Sequence, residues 1–152
     1  MPHAEPQVEF FVLEEASARS RLRAACRIVE RAYLADQRVL VWCPDPQELR
    51  DFDEMLWTFS DRSFVPHELL GGGAAPEAPV LLSAGTVPGE SVDLLVNLGP
   101  EVPPYDGLAA RIAEVIDGDP GRRQAGRTRF RAYRERGLQP VSHNLQPEQA
   151  GR

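Results

Sequence analysis

The feature that most constrains this chain is a strand-helix-strand-helix run filling its first third. It opens with Val8-Glu9-Phe10-Phe11-Val12-Leu13, β-branched and aromatic and nearly continuous, as a strand buried on both faces reads. Ser17 and Ser20 offer caps for the helix that follows. Leu22, Ala25, Cys26, Val29, Ala32 and Tyr33 recur at helical spacing with charged residues mostly between them, so a helix is expected over residues 18–35. After the short connection Asp36-Gln37, Arg38-Val39-Leu40-Val41-Trp42-Cys43 reads as a second strand. Asp45-Pro46-Gln47-Glu48 then carries three helix-start signals: a capping Asp, Pro at the first helical position and Glu at the third. Leu49, Phe52, Leu56 and Trp57 continue that helix. Such a unit demands parallel strands joined by right-handed crossovers. The expected fold class is α/β, a Rossmann-like three-layer sandwich with a mostly parallel central sheet.

The rest of the chain extends this plan. Gly71-Gly72-Gly73-Ala74-Ala75-Pro76 is a flexible loop, and strands are expected at residues 79–83 and 91–98. A helix is expected from Asp106 or Gly107, with Leu108, Ile112, Val115 and Ile116 on its apolar face. Asp119-Pro120 starts a further helix that runs to Gly137, with Phe130, Tyr133 and Leu138 toward the core. A single α/β domain is expected over residues 1–145, and residues 146–152 are expected to form a polar, disordered tail. The 152 residues, 42% hydrophobic and 26% charged, are enough for one core and argue against global disorder. No apolar run approaches a membrane span and the N-terminus lacks a signal-peptide pattern, so a cytoplasmic protein with Cys26 and Cys43 reduced and mostly buried is expected.

Charge is polarised. There is no lysine, and all 17 cations are arginines. Residues 122–136 hold seven arginines against Glu135 alone, a net +6 inside a chain of −6, which leaves −12 for the remainder. An acidic body with one basic element suits a local anion-binding site better than a long wrap of nucleic acid.

Several chemistries are weighed and rejected. Gly121-Arg122-Arg123-Gln124-Ala125-Gly126-Arg127-Thr128 mimics a phosphate loop with Arg in the lysine position. That loop needs a strand directly before it, whereas this pattern follows an Asp-Pro helix start and lies within a helix. Neither early strand is followed by G-x-G-x-x-G, so the nucleotide-binding glycine fingerprint is lacking and no cofactor is expected. His3, His67 and His143 lack metal-ligand spacing. Asp45, Asp51, Asp53 and Glu54 share one helix, whereas two-metal hydrolysis draws carboxylates from several elements. Ser60, Ser63 and His67 are near in sequence, but no strand-turn-helix elbow presents a serine. No catalytic and no metal residues are assigned.

Two non-catalytic features stand out. One is residues 56–67, where Leu56, Trp57, Phe59 and Phe64 precede Pro66. Aromatics of this kind are either core or docking anchors, and residue type alone leaves both open. The other is the basic helix, on which Arg123, Arg127, Phe130, Arg131 and Arg134 fall along one face. Guanidinium groups around an aromatic suit an acidic peptide with an apolar end, or a phosphate backbone with stacked bases.

Four pieces then fit together: Phe10-Phe11-Val12-Leu13; Gln37-Arg38-Val39-Leu40-Val41; Leu56-Trp57 followed by Ser63-Phe64-Val65-Pro66-His67; and Arg127-Thr128-Arg129-Phe130-Arg131-Ala132-Tyr133-Arg134. In pattern and order the chain resembles the chi subunit of bacterial DNA polymerase III, an accessory protein of the clamp loader. The resemblance covers almost everything up to about Leu145. It implies a Rossmann-like fold without a nucleotide site and without intrinsic activity, in a subunit of a DNA polymerase holoenzyme. It also implies two partner surfaces. Trp57 and Phe64, with Val65, Pro66 and His67 supporting, would bind the psi subunit, and in some lineages a helicase-like partner shares that surface. Arg123, Arg127, Phe130 and Arg131 would receive the acidic, phenylalanine-ended tail of single-stranded DNA-binding protein, where some relatives carry lysine or tyrosine. The expected function is a non-catalytic replication adaptor. The alternatives are a direct single-stranded nucleic-acid binder and a metal-dependent nuclease or nucleotide hydrolase on the same fold. Of residues 56–67, Leu56 and Phe59 are expected to pack inward, with Pro66 fixing the turn that presents Trp57 and Phe64.

Overall fold

The computed structural model describes residues 5–71 and 75–146. Gly72, Gly73 and Ala74 of the expected loop, His3, and residues 147–152 of the expected tail lie outside the described residues. The chain runs β1 (Gln7–Leu13), α1 (Ala18–Leu34), β2 (Val39–Trp42), α2 (Pro46–Thr58), β3 (His67–Leu69), β4 (Val80–Ser83), β5 (Val92–Asn97), β6 (Ala109–Ile116), α3 (Pro120–Glu135) and β7 (Val141–Leu145). Each helix starts where its cap directs. Ser17 accepts from the Ser20 amide at 3.1 Å, Asp45 from Gln47 at 3.0 Å and Asp119 from Arg122 at 2.9 Å. Pro stands at the start of both α2 and α3.

All seven strands form one sheet in the order β3-β4-β2-β5-β6-β1-β7, and every neighbouring pair is parallel. The expected βαβα unit is present, but β5 and β6 lie between β1 and β2. Side chains alternate between two apolar layers. Val39, Val41, Val80, Leu82, Val96 and Val115 join Leu22, Val29, Leu49 and Phe52 under α1 and α2. On the opposite face, Val8, Phe10, Ile112 and Ile116 pack with Tyr133, Leu138 and Phe130 under α3. Farther along that face, Leu40, Leu81, Leu95 and Leu108 are covered by the segment that carries Tyr105. The result is a three-layer α/β sandwich of Rossmann-like form. Among the described residues no helix is long and apolar enough to cross a membrane.

One expected element is of the wrong type. Residues 109–116 form a strand, not the apolar face of a helix beginning near Asp106. Leu108, Ile112, Val115 and Ile116 do fall at helical spacing, but β6 is paired on one side with β5 and on the other with β1. Residues 112–116 are therefore all buried, and a strand covered on both faces has no alternation to read. The strands β3 and β7 were not anticipated. The first has only three residues, and the second, Val-Ser-His-Asn-Leu, is an exposed edge with little apolar signal.

Candidate functional site

The inner face of α3 is fixed by β6. A Cβ on Gly126 would fall 2.3 Å from Ile116 Cδ1, so a larger residue there would have to displace the end of the Ile116 side chain that packs against the helix. Glu114, on the α3 side of β6, is fully buried and accepts three hydrogen bonds: from Arg129 Nε at 3.0 Å, Tyr133 Oη at 2.7 Å and Asn97 Nδ2 at 3.0 Å. Arg129 also donates to the Pro100 carbonyl at 3.0 Å. Burial pushes the Glu114 carboxyl up, against the pull of Arg129, Asn97 and Tyr133. Tyr133 is likewise raised, first by burial and then by the Glu114 charge. This network takes Arg129 out of the basic surface and makes it part of the fold.

Arg122 is also neutralised, by a two-pronged bond to Asp117 with both contacts at 2.7 Å. Burial tends to raise the Asp117 carboxyl, but the bonds and charge of Arg122 outweigh it and hold it below the ordinary Asp range. A group with a lowered folded pKa stabilises the fold above its unfolded pKa and loses that contribution as pH falls through the folded value. Asp117→Asn should therefore cost about 1–3 kcal/mol in urea melts near neutral pH. The difference should close when both proteins are melted in acid below the usual Asp range.

The remaining arginines are differently placed. The Arg123 guanidinium donates to the carbonyls of Asp117, Leu13 and Glu14 at 3.2–3.5 Å. Arg127 is exposed, with Gln124 Oε1 at 3.5 Å its hydrogen-bond partner among the described residues, and Arg131 is exposed. The Arg134 guanidinium lies 5.0 Å above the Phe130 ring. Phe130 is half-buried, with its ring centroid 5.1 Å from that of Phe10 on β1. Among the described residues none of Arg123, Arg127, Arg131 and Arg134 forms an ion pair with a carboxylate. These four and Phe130 share one flank of α3, on the side toward β1 and β7. The structure thus brings the five expected residues together.

The second surface lies at the other end of the sheet, beside the β3 edge. Trp57, near the end of α2, is 44% exposed and Phe64 is 64% exposed, with ring centroids 5.1 Å apart. Leu56 is buried and Phe59 packs against the core, as their expected inward roles require. Val65 and His67, expected in a supporting role, are both buried, and Pro66 between them is only partly exposed. The His67 ring centroid lies 4.0 Å from that of Trp57, with Nδ1 2.7 Å from the Val65 carbonyl and Nε2 2.9 Å from Asp53 Oδ1. Val65 and His67 therefore support the aromatic pair from beneath. Asp53 is a member of this support that residue type alone placed among nuclease carboxylates.

The other groups weighed for chemistry are occupied locally. Asp45 is a helix cap, Asp51 accepts from Gln47, Ser63 bonds Glu30, and His143 lies 3.0 Å from Glu9. No group of three potential metal ligands occurs among the described residues. Cys26 and Cys43 are buried free thiols, and burial, followed by Glu48, pushes Cys43 up to about 12. Both grounds for rejecting a phosphate loop at residues 121–128 stand: β6 ends at Ile116, and the Asp119-Pro120 helix start lies between it and Gly121. The whole pattern lies inside α3 and its amides belong to the helix. A crevice of about 380 Å³ at the carboxyl ends of the strands, where α/β folds take ligands, is lined by Arg21, Arg122 and Arg129. Each of these three is already bonded to a carboxylate: Glu48, Asp117 and Glu114 respectively.

Fold and surfaces define the class: a Rossmann-like α/β protein without a glycine phosphate loop, bearing an aromatic face at one sheet edge and an unpaired basic helix flank at the other. Residues 6–141 match the DNA polymerase III chi subunit family (HolC), and the chain belongs to that family, a subunit of the replicative polymerase. It is 39% identical to the DNA polymerase III subunit chi of Pseudomonas aeruginosa over 91% of this chain and 96% of that protein. It is 28% identical to the subunit chi of Escherichia coli, over 85% and 91% of the two chains, and 26% identical to that of Haemophilus influenzae, over 90% and 96%.

Proposed function

We propose that this chi-family chain is a non-catalytic adaptor of DNA replication. It ties the clamp loader, through the psi subunit, to the C-terminal tail of single-stranded DNA-binding protein in the bacterial cytoplasm. The observation that carries the reading is the position of the two surfaces. The Trp57–Phe64 pair lies beside β3 and the basic flank faces β7, the first and last strands of the sheet. Six strand spacings of about 4.8 Å put them on the order of 30 Å apart, so two partners can be held at once. The benefit of such a tether is effective concentration: a weak contact to coated template keeps the polymerase machinery near it. A helicase-like protein competing for the Trp57–Phe64 face fits the same geometry.

At the basic end, Arg127 and Arg131 are free to grip carboxylates with two-pronged hydrogen bonds, while Phe130 offers an apolar wall to a terminal phenylalanine. Arg127→Ala should weaken an acidic, Phe-ended peptide by about 1.5–3 kcal/mol in calorimetry, and added salt should weaken the parent more steeply than the variant. Unchanged affinity would remove the assignment. Single-stranded DNA-binding protein lacking its last few residues should fail to be retained by the immobilised chain. The unpaired arginines also favour a second reading, direct binding of single-stranded nucleic acid. A gel shift on bare single strands separates the two, and the −12 carried outside residues 122–136 should keep that binding weak.

A further inference from the structure

Among the described residues no strand pairs with the outer side of the edge strand β7. Natural sheets blunt their edges with charge, proline, bulges or brevity, because unpaired N–H and C=O groups invite another strand. The opposite edge, β3, is protected by brevity, with three residues. β7 has five, Val141-Ser142-His143-Asn144-Leu145, with no acidic, lysine or arginine residue among them, and the first four are exposed. Its inner side is anchored to β1 in parallel register, Phe10 opposite Ser142 and Val12 opposite Asn144. His143 holds that register from the α1 side by stacking on Phe11 at 5.4 Å. Ser142 and Asn144 therefore point to the α3 side, as Phe10 and Val12 do, and among the described residues their side chains have no hydrogen-bond partner.

That is the side on which the uncompensated cations stand. Phe130 packs on Phe10 and Arg123 reaches the Leu13 carbonyl, so the flank carrying Arg123, Arg127, Phe130 and Arg131 overhangs β1, the strand next to β7. A strand added beyond β7 would lie about 10 Å from β1, two strand spacings away. An extended arginine spans much of that gap, and an aspartate or glutamate on the added strand closes the rest. An open edge supplies main-chain hydrogen bonds without regard to sequence, and the arginines select an acidic strand from all that could pair there.

We propose that the acidic peptide is received as an added β-strand on the free edge of β7, its carboxylates turned up toward Arg127 and Arg131 and its backbone paired with residues 141–145. The inference rests on the reading of the basic flank as a peptide site and adds the mode of binding to it. The test uses the full chain and a synthetic acidic peptide ending in phenylalanine. N-methylation of the peptide backbone, one position at a time, should lower affinity about tenfold or more at alternate residues and little at those between, because only every second amide of an added strand faces its neighbour. Hydrogen exchange should show the outward amides of β7 slowed by saturating peptide. If methylation is tolerated at every position and β7 amides exchange unchanged, while Arg127→Ala still abolishes binding, the peptide is held by side chains alone and strand addition is wrong. If Arg127→Ala leaves affinity untouched, the underlying peptide-site reading is wrong instead. Protection of β7 that rises with protein concentration in the absence of peptide would show a second copy of the chain on this edge, and would overturn the proposal.

Discussion

Glu114→Ala is expected to cost about 3–5 kcal/mol of folding stability, the range for stripping a buried charge of its partner. The carboxylate sits where α3 meets β6 and receives Arg129, Tyr133 and Asn97 at 2.7–3.0 Å. Removing it leaves a guanidinium, itself almost fully buried, with the Pro100 carbonyl as its remaining hydrogen-bond partner among the described residues. It also leaves the Tyr133 hydroxyl and the Asn97 amide short of a partner, each costing further. Tyr133→Phe, which deletes one bond and keeps the packing, should cost only about 1 kcal/mol. A double replacement, Glu114→Leu with Arg129→Met, should recover much of the loss, since apolar groups of similar volume often replace buried ion pairs without penalty. Equilibrium urea unfolding of the four proteins decides the matter. Glu114→Ala within about 1 kcal/mol of the parent would mean that packing around Gly126 and Phe130, not this network, seats α3.

The network matters to function because of what it does to the other side of the helix. Residues 122–136 hold seven arginines, but the fold consumes two of them, Arg122 and Arg129, in ion pairs with Asp117 and Glu114. With those two anchored inward, the 3.6-residue period leaves Arg123, Arg127, Arg131 and Arg134 on outward and flanking positions. The sequence therefore announced a basic helix, and its helical face was legible from spacing alone. Which cations were free was not, since that depends on two acids, Glu114 and Asp117, at the end of a strand that reads as helix. The misreading of β6 has the same root. A central parallel strand is buried on both faces, so its pattern carries no period, and chance apolar spacing decides how it looks. Capped helices and the early strands, where local chemistry and tertiary role agree, were legible almost to the residue. The edges β3 and β7 were not, because an edge strand is defined by a neighbour and not by its own composition.

At the other end of the sheet, Phe64→Ala is expected to cost about 2–4 kcal/mol of binding to psi, the proposed partner, with the fold left intact. The aromatic pair has the anatomy of an anchor. Phe64 is the more exposed member, Trp57 stands between it and His67, and His67 is held from below by Val65 and Asp53. An exposed ring fixed in place this way loses little freedom on docking, so most of its buried area counts toward affinity. Its sequence neighbour supplies the control. Val65 is buried in the core under α1 and α2, and Val65→Ala should lower stability by about 1–3 kcal/mol through the cavity it leaves, while the surviving folded protein still binds. Melting curves and calorimetric titrations on both variants therefore give opposite signatures from adjacent residues. If Phe64→Ala loses stability in place of affinity, the ring is part of the core and the docking face lies elsewhere. If it changes neither, Trp57 carries the contact alone, and Trp57→Ala should then show the whole loss.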